Sequence, residues 1–208
     1  MVVLQGSLFD HGARVQPRLP GTNVLRTDLG QGAWIDVGRE WLAGADALFD
    51  RLLHTVPWRA ERRPMYDRIV DVPRLMSFYG ESDELPDPAL EQIREALVES
   101  YRNDVGGPFR TAGLCLYRDG RDSVAWHGDR IGRGATEDTL VAILSVGSTR
   151  RLLLRPRGGG SAIRYELGSG DLVVMGGACQ RTWEHAVPKT SRPVGPRISI
   201  QFRPRGVR

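Results

Sequence analysis

His127 and Asp129 stand two residues apart in Trp126-His127-Gly128-Asp129, and a second imidazole follows in Trp183-Glu184-His185. On an extended segment residues i and i+2 point to the same side, so an imidazole and a carboxylate at this spacing offer two ligands together. A third ligand from a distant strand would complete a 2-His-1-carboxylate face. That set leaves positions open on an octahedral metal and is the arrangement used by mononuclear non-heme Fe(II) oxygenases to hold a co-substrate and O2. Alone, the triplet is weak, because a chain with 4 His and 25 acidic residues meets it easily by chance. Its weight depends on the elements that position it.

After Thr111 the chain breaks into short apolar runs, Ala112 to Tyr117, Leu140 to Val146, Leu152 to Arg155, Ala162 to Leu167, Leu172 to Met175 and Ile198 to Phe202, separated by Gly, Asp and Arg turns. These read as strands, and many short strands at close spacing indicate a sandwich or jelly roll. His127 and Asp129 then follow the first strand by a short loop, and His185 follows the fifth. In the last strand Arg197, Ser199, Gln201 and Arg203 share one face by the period of 2. Two inward guanidinium groups are costly to bury without anions, and a dicarboxylate such as 2-oxoglutarate would supply them.

Upstream, Trp41, Leu42, Ala45, Leu48, Phe49, Leu52 and Leu53 recur at helical spacing and predict a helix over 38–54. Asp87-Pro88, an acidic cap followed by Pro at the first helical position, opens a second helix with Leu90, Ile93, Leu97 and Tyr101 on one face. It is expected to stop at Gly106-Gly107-Pro108. Between the helices, Arg59, Arg62, Arg63, Arg68 and Arg74 are interleaved with Trp58, Tyr66, Phe78 and Tyr79. Guanidinium groups suit phosphates and rings suit stacked bases; a hairpin with a solvated basic face reads the same residues equally well. Residues 1–30 show no sustained period and read as an irregular arm, leaving 31–208 as one domain: 31–110 helices and a nucleotide-recognition segment, 111–208 the β core. Within the arm, Gln5-Gly6-Ser7-Leu8-Phe9 is similar to the short peptide by which bacterial repair proteins dock on the sliding clamp, through Gln5, Leu8 and Phe9. A Leu-Phe pair packing on the domain is the alternative.

At 208 residues the chain suits a single substantial core, and 40% hydrophobic with 26% charged content is ordinary for a globular protein. No apolar run has membrane-spanning length and no signal peptide opens the chain, so a cytoplasmic protein, not membrane-bound and monomeric, is the expectation. Cys115 and Cys179 lack zinc-site spacing and make no disulfide framework. A net charge of +4 fits a polyanionic partner without requiring one.

Jointly, Leu116-Tyr117-Arg118-Asp119-Gly120, Asp122 to Asp129, Gln180 to Lys189 and Pro196 to Arg203 resemble the AlkB family of Fe(II)- and 2-oxoglutarate-dependent nucleic-acid dioxygenases. The similarity extends back through Val72-Pro73-Arg74 to Val56-Pro57-Trp58 and covers the chain from about Trp34 onward. The resemblance implies an α+β, mainly β fold, a double-stranded β-helix (jelly roll) with flanking N-terminal helices. It implies His127, Asp129 and His185 as iron ligands, Tyr117 and Arg197 at the distal carboxylate of 2-oxoglutarate, and Arg203 near the keto-acid end. The implied reaction consumes O2 and 2-oxoglutarate, hydroxylates an N-alkyl carbon of a base in DNA or RNA, and releases formaldehyde, succinate and CO2. Tyr66 falls where repair members carry an aromatic finger; a core tyrosine is the alternative. With Arg68, Arg74, Tyr79, Trp126, Arg130 and Ile131 it makes up the expected substrate-binding set.

Four departures from the family pattern stand out. Cys115 and Ser199 occupy co-substrate positions where Asn is usual. Arg130-Ile131-Gly132-Arg133 replaces the acidic residues that usually follow the metal carboxylate. Glu81 to Leu85 lacks the aromatic that usually sandwiches a flipped base. Two other readings remain beside the demethylase: a 2-oxoglutarate oxygenase acting on a protein or small molecule, and a non-catalytic nucleic-acid-binding jelly roll, against which the intact ligands argue.

Overall fold

The computed structural model describes residues 15–18, 23–65 and 68–207, and of 63–65 and 68–71 the backbone alone. In chain order the elements are β1 (Gln16–Pro17), β2 (Val24–Gly30), β3 (Ala33–Gly38), β4 (Leu42–Ala43), α1 (Ala45–Thr55), β5 (Arg59–Met65), β6 (Arg68–Tyr79), α2 (Pro88–Ser100), β7 (Phe109–Tyr117) and β8 (Val124–His127). Then follow β9 (Val141–Gly147), β10 (Arg150–Pro156), β11 (Ile163–Leu167), β12 (Leu172–Gly177), α3 (Cys179–Thr182), β13 (Trp183–Val187) and β14 (Arg197–Pro204).

Two antiparallel sheets carry the fold, an eight-stranded one ordered β2-β3-β12-β9-β14-β7-β6-β5 and a four-stranded one ordered β11-β10-β13-β8. Strand alternation gives the larger sheet two different faces. Ala112, Leu114, Leu116, Leu144, Ile198, Ile200 and Phe202 point to the helices, where they meet Leu48, Leu52, Leu90, Ile93 and Leu97 in one core. Tyr117, Val141, Ile143, Val173 and Met175 point the other way and pack against Leu152, Leu154 and Val187 of the smaller sheet. This second core, between the sheets of a jelly roll, is where β14 delivers Arg197, Ser199, Gln201 and Arg203.

The helices differ from the sequence expectation in their limits. Trp41 and Leu42 fit a helical period but lie buried in extended chain, with Leu42 opposite Pro17 in the β1–β4 pair. Gly44, at φ 70°, turns the backbone through the left-handed region and starts α1 only at Ala45. The second helix begins as predicted: the Asp87 carboxylate accepts from the Ala89 amide at 2.9 Å and is gripped by Arg51, Nε to Oδ2 at 2.6 Å, which ties α1 to α2. It ends at Ser100, not at the glycines, where Tyr101 leaves the helix to stack on Trp34 and donate to Asp36 at 3.0 Å. Asp36 also holds Arg26 in a bidentate pair, at 2.8 and 2.9 Å. That contact belongs to β2, so residues 24–30 of the expected irregular arm form a strand, paired to β3 from Val24↔Gly38 onward. No helix among the described residues is long and apolar enough to cross a membrane.

Candidate active site

His127 and His185 face each other directly across the antiparallel β8–β13 pair. Both lie within strands, where a loop position had been expected. Their ring centroids are 4.2 Å apart, and one ligand atom from each of His127, Asp129 and His185 falls within 4.8 Å of the others. His127 Nδ1 lies 2.8 Å from the Ala125 carbonyl, which can only accept, so Nδ1 donates and Nε2 is the nitrogen left to face a metal. Burial and then the neighbouring His127 hold His185 down to about 3, which leaves this ring neutral and ready to ligate. Burial opposes ionisation of Asp129, but Arg203 and the two imidazoles more than offset it and bring the carboxyl to about 2. Arg203 Nε donates to Asp129 Oδ2 at 2.8 Å.

The turn between His127 and Asp129 is fixed from α3. Gln180 Oε1 accepts from the Asp129 amide at 2.9 Å, and a Cβ on Gly128 would stand 2.5 Å from the Gln180 carbonyl oxygen. A side chain there would displace the turn, so only glycine permits this approach.

At the far end of the same face, Arg197 opposes Tyr117 across β14–β7. The Arg197 guanidinium is fully buried and lies 5.4 Å from the Tyr117 ring centroid, with Arg150 at 5.5 Å. Burial pushes the Tyr117 hydroxyl up to about 12 and the Arg197 guanidinium downward. Arg197 Nη2 donates to Ser145 Oγ at 2.7 Å, whereas Nε and Nη1 are buried without a partner. Such N–H groups are expensive to bury unmatched. Unmatched donors on a buried cation call for an anion beside it. Along the wall between the two ends, Cys115 opposes Ser199, and Gln201 joins them, donating to Ser199 Oγ at 2.6 Å and accepting from Cys115 Sγ at 3.6 Å. The donor set therefore suits a metal at one end and a carboxylate at the other, with the iron and co-substrate residues of the expectation all on one face.

The expected substrate contacts divide. Arg130 and Ile131 lie exposed just past the metal carboxylate. Arg74 is half-buried and turned toward Ser123, whose carbonyl accepts from its Nη1 at 3.2 Å. Two expectations are corrected by strand parity. Tyr79 packs on the helix-side core, opposite Ala112, and its neighbour Phe78, 52% exposed, is the one on the site's face beside Gly113. Trp126 points away from His127 and lies under the Arg155 guanidinium, 4.1 Å from its ring centroid. Of Arg68 only the backbone, in β6, is described, and Tyr66 as well as Gln5, Leu8 and Phe9 lie outside the described residues. Sequence reasoning missed Gln180 and Arg150. Arg150 is buried, and its N–H groups donate to the carbonyls of Asp119, Asp122 and Pro188 at 2.8–2.9 Å, which holds the turn after Tyr117. An Arg opening an apolar strand was its one visible sign.

A family profile described as the 2OG-Fe(II) oxygenase superfamily matches residues 43–203. The human alpha-ketoglutarate-dependent dioxygenase alkB homolog 3 is 31% identical over 204 residues, covering 89% of this chain and 68% of that protein. Its Bos taurus counterpart is 32% identical over 181 residues, with 78% of this chain matched to 62% of the relative's length. The Mus musculus DNA oxidative demethylase ALKBH2 is 27% identical over 124 residues, 56% of this chain and 50% of that one. The solved structure of OsALKBH1 superposes with a TM-score of 0.56 at 17% identity, covering 86% of this chain and all of the other, and so shares the fold.

Proposed function

Because the chain belongs to the 2OG-Fe(II) oxygenase superfamily and, within it, to the AlkB family, we propose that it is an Fe(II)- and 2-oxoglutarate-dependent dioxygenase that oxidatively demethylates N-alkylated bases in DNA or RNA. The products are formaldehyde, succinate and CO2. The observation that carries this reading is the pairing, on one face, of a 2-His-1-carboxylate cluster with a buried arginine that has two free donors. Bound Fe(II), with 2-oxoglutarate and O2, supplies the oxidising chemistry.

The protein's own part is placement. His127 Nε2, a His185 ring nitrogen and an Asp129 oxygen would hold the metal. Arg203 keeps Asp129 ionised and oriented, while the carbonyl of Ala125 fixes the His127 tautomer. Arg197 and Tyr117 would seat the distal carboxylate, and the Cys115–Gln201–Ser199 chain lines the wall between. Cys115 and Ser199 replace the amides expected there without removing a charge, so co-substrate binding is retained. A methyl on a base edge is out of reach inside a duplex, so the nucleotide must be unpaired or flipped to enter. The exposed ring of Phe78 supplies an aromatic surface on the site's face, and Arg130 supplies positive charge beside the metal carboxylate.

The test is formaldehyde and succinate release from a panel of N-methylated single-stranded DNA, duplex DNA and RNA. Equal amounts of both products are expected from at least one methylated oligonucleotide, with none from Asp129→Ala. Succinate without formaldehyde across the whole panel would refute the demethylase and leave an oxygenase acting on another class of substrate. No succinate at all from the iron-loaded chain would leave the non-catalytic binding module.

A further inference from the structure

Tyr117 lies between two neighbouring strands, and each sets an arginine against it. β14 brings Arg197 directly opposite, and on the other side the β6–β7 register pairs Leu75 with Leu116, which puts Arg74 opposite Tyr117. Directly opposed residues of an antiparallel pair share a face, so both guanidinium groups are on the side of the metal cluster. Arg150 completes a set of three cations around one phenol ring.

Among the described residues none of the three forms an ion pair with a carboxylate. The donors of Arg150 are used on backbone carbonyls. Those of the other two are not all used. Arg74 spends Nη1 on the Ser123 carbonyl, but its Nε is buried and has no partner, like Nε and Nη1 of Arg197. The turn that receives Arg74 is itself stiff: the Ser123 amide donates to the Pro73 carbonyl at 2.8 Å, and Arg150 grips the Asp122 carbonyl at 2.8 Å. A guanidinium held this way cannot swing out to a phosphate without giving up its contacts. An anion reaching Arg197 beside Tyr117 would meet Arg74 as well.

We propose that Arg74 is a second cation of the pocket that receives the distal carboxylate of 2-oxoglutarate, acting beside Arg197, and is not a contact to nucleic-acid phosphate. The proposal rests on the use of 2-oxoglutarate, and it is independent of whether the substrate is DNA, RNA or neither. It makes the pocket selective for a dicarboxylate through two charges where one would suffice for simple capture.

The experiment titrates the full chain, loaded with Mn(II) in place of iron, with 2-oxoglutarate and with 2-oxopentanoate, which keeps the keto-acid end and lacks the distal carboxylate. Binding is read by calorimetry for the unaltered protein, Arg74→Gln and Arg74→Lys. A lost charge-assisted hydrogen bond corresponds to roughly tenfold or more in affinity. Arg74→Gln is therefore expected to weaken 2-oxoglutarate by about that factor and to leave 2-oxopentanoate within about twofold, with Arg74→Lys recovering part of the loss. Equal weakening toward both acids would overturn the proposal, since Arg74 would then serve only to hold the Ser123 turn. Unchanged 2-oxoglutarate affinity together with weaker, less salt-dependent binding of a single-stranded oligonucleotide would overturn it in favour of a phosphate contact. Failure of the unaltered protein to bind 2-oxoglutarate would instead sink the co-substrate assignment itself.

Discussion

Arg197→Met separates the two things Arg197 does, burying a charge and waiting for another. In the ligand-free protein the charge is fully buried, has one hydrogen bond, to Ser145, and two unmatched donors. Its burial costs several kcal/mol, and replacement of buried charges by apolar groups of similar volume is commonly neutral or stabilising by about 1–4 kcal/mol. Against that, the variant leaves Ser145 Oγ without its partner, about 1–3 kcal/mol. It also loses the attraction to the Tyr117 ring, about 1 kcal/mol at 5.4 Å. These terms put the apo variant between about 4 kcal/mol less stable and about 2 kcal/mol more stable than the parent. Co-substrate separates the two proteins. The parent gains about 2.7 kcal/mol at a ligand concentration one hundred times Kd. The variant, having lost one side of a buried charge pair worth about 2–5 kcal/mol, gains almost nothing at the same concentration. Urea unfolding at matched m-values, with Mn(II) present and 2-oxoglutarate present or absent, reads both numbers. A variant that keeps the 2-oxoglutarate stabilisation would refute the reasoning.

Two further predictions concern the metal end. The metal-free protein loses stability as pH falls from about 6.5 toward 3, because the unfolded chain protonates His185 at its ordinary value while the folded site resists until about 3. Unfolding free energies across that range give the slope, and His185→Gln should flatten it; an unchanged slope would show that His185 is not held neutral by the fold. Gly128→Ala should weaken Mn(II) affinity about tenfold or more, since its Cβ would meet the Gln180 carbonyl at 2.5 Å and shift Asp129. A competition titration with a chelator measures this, and parental affinity would mean the turn has slack that the close contact denies.

The chemistry was legible in the sequence where it is local or ordered along the chain. His127, His185 and the Arg197–Arg203 ladder are strand residues whose facing follows from parity, while Asp129 joins them from the turn just past β8. Parity also contained the corrections. If His127 faces the metal, Trp126 must face away, and if Tyr117 and Gly113 share the site's face, then Phe78 joins them and Tyr79 does not. The rest was hidden because it depends on pairing partners far along the chain. Nothing near Arg74 announces that it will stand across from Tyr117, and Gln180 becomes the anchor of Asp129 only when α3 docks. Residues 24–30 were missed because β2 is a largely exposed edge strand, held by Arg26 on Asp36 as much as by apolar burial. Trp41 and Leu42 matched the period of the helix that follows them, and only the left-handed Gly44 separates the two.

Gln180 reaching back to the Asp129 amide has a consequence for the order in which the molecule becomes competent. His127 and Asp129 leave the ribosome well before Gln180 and His185, and until β13 lies against β8 they are two ligands on an unanchored turn. A nascent or misassembled chain thus offers no complete face to Fe(II), and the one arrangement that retains the ion also has its sheets closed. An iron ion held at this face would thus be admitted only after the sheets have closed around it.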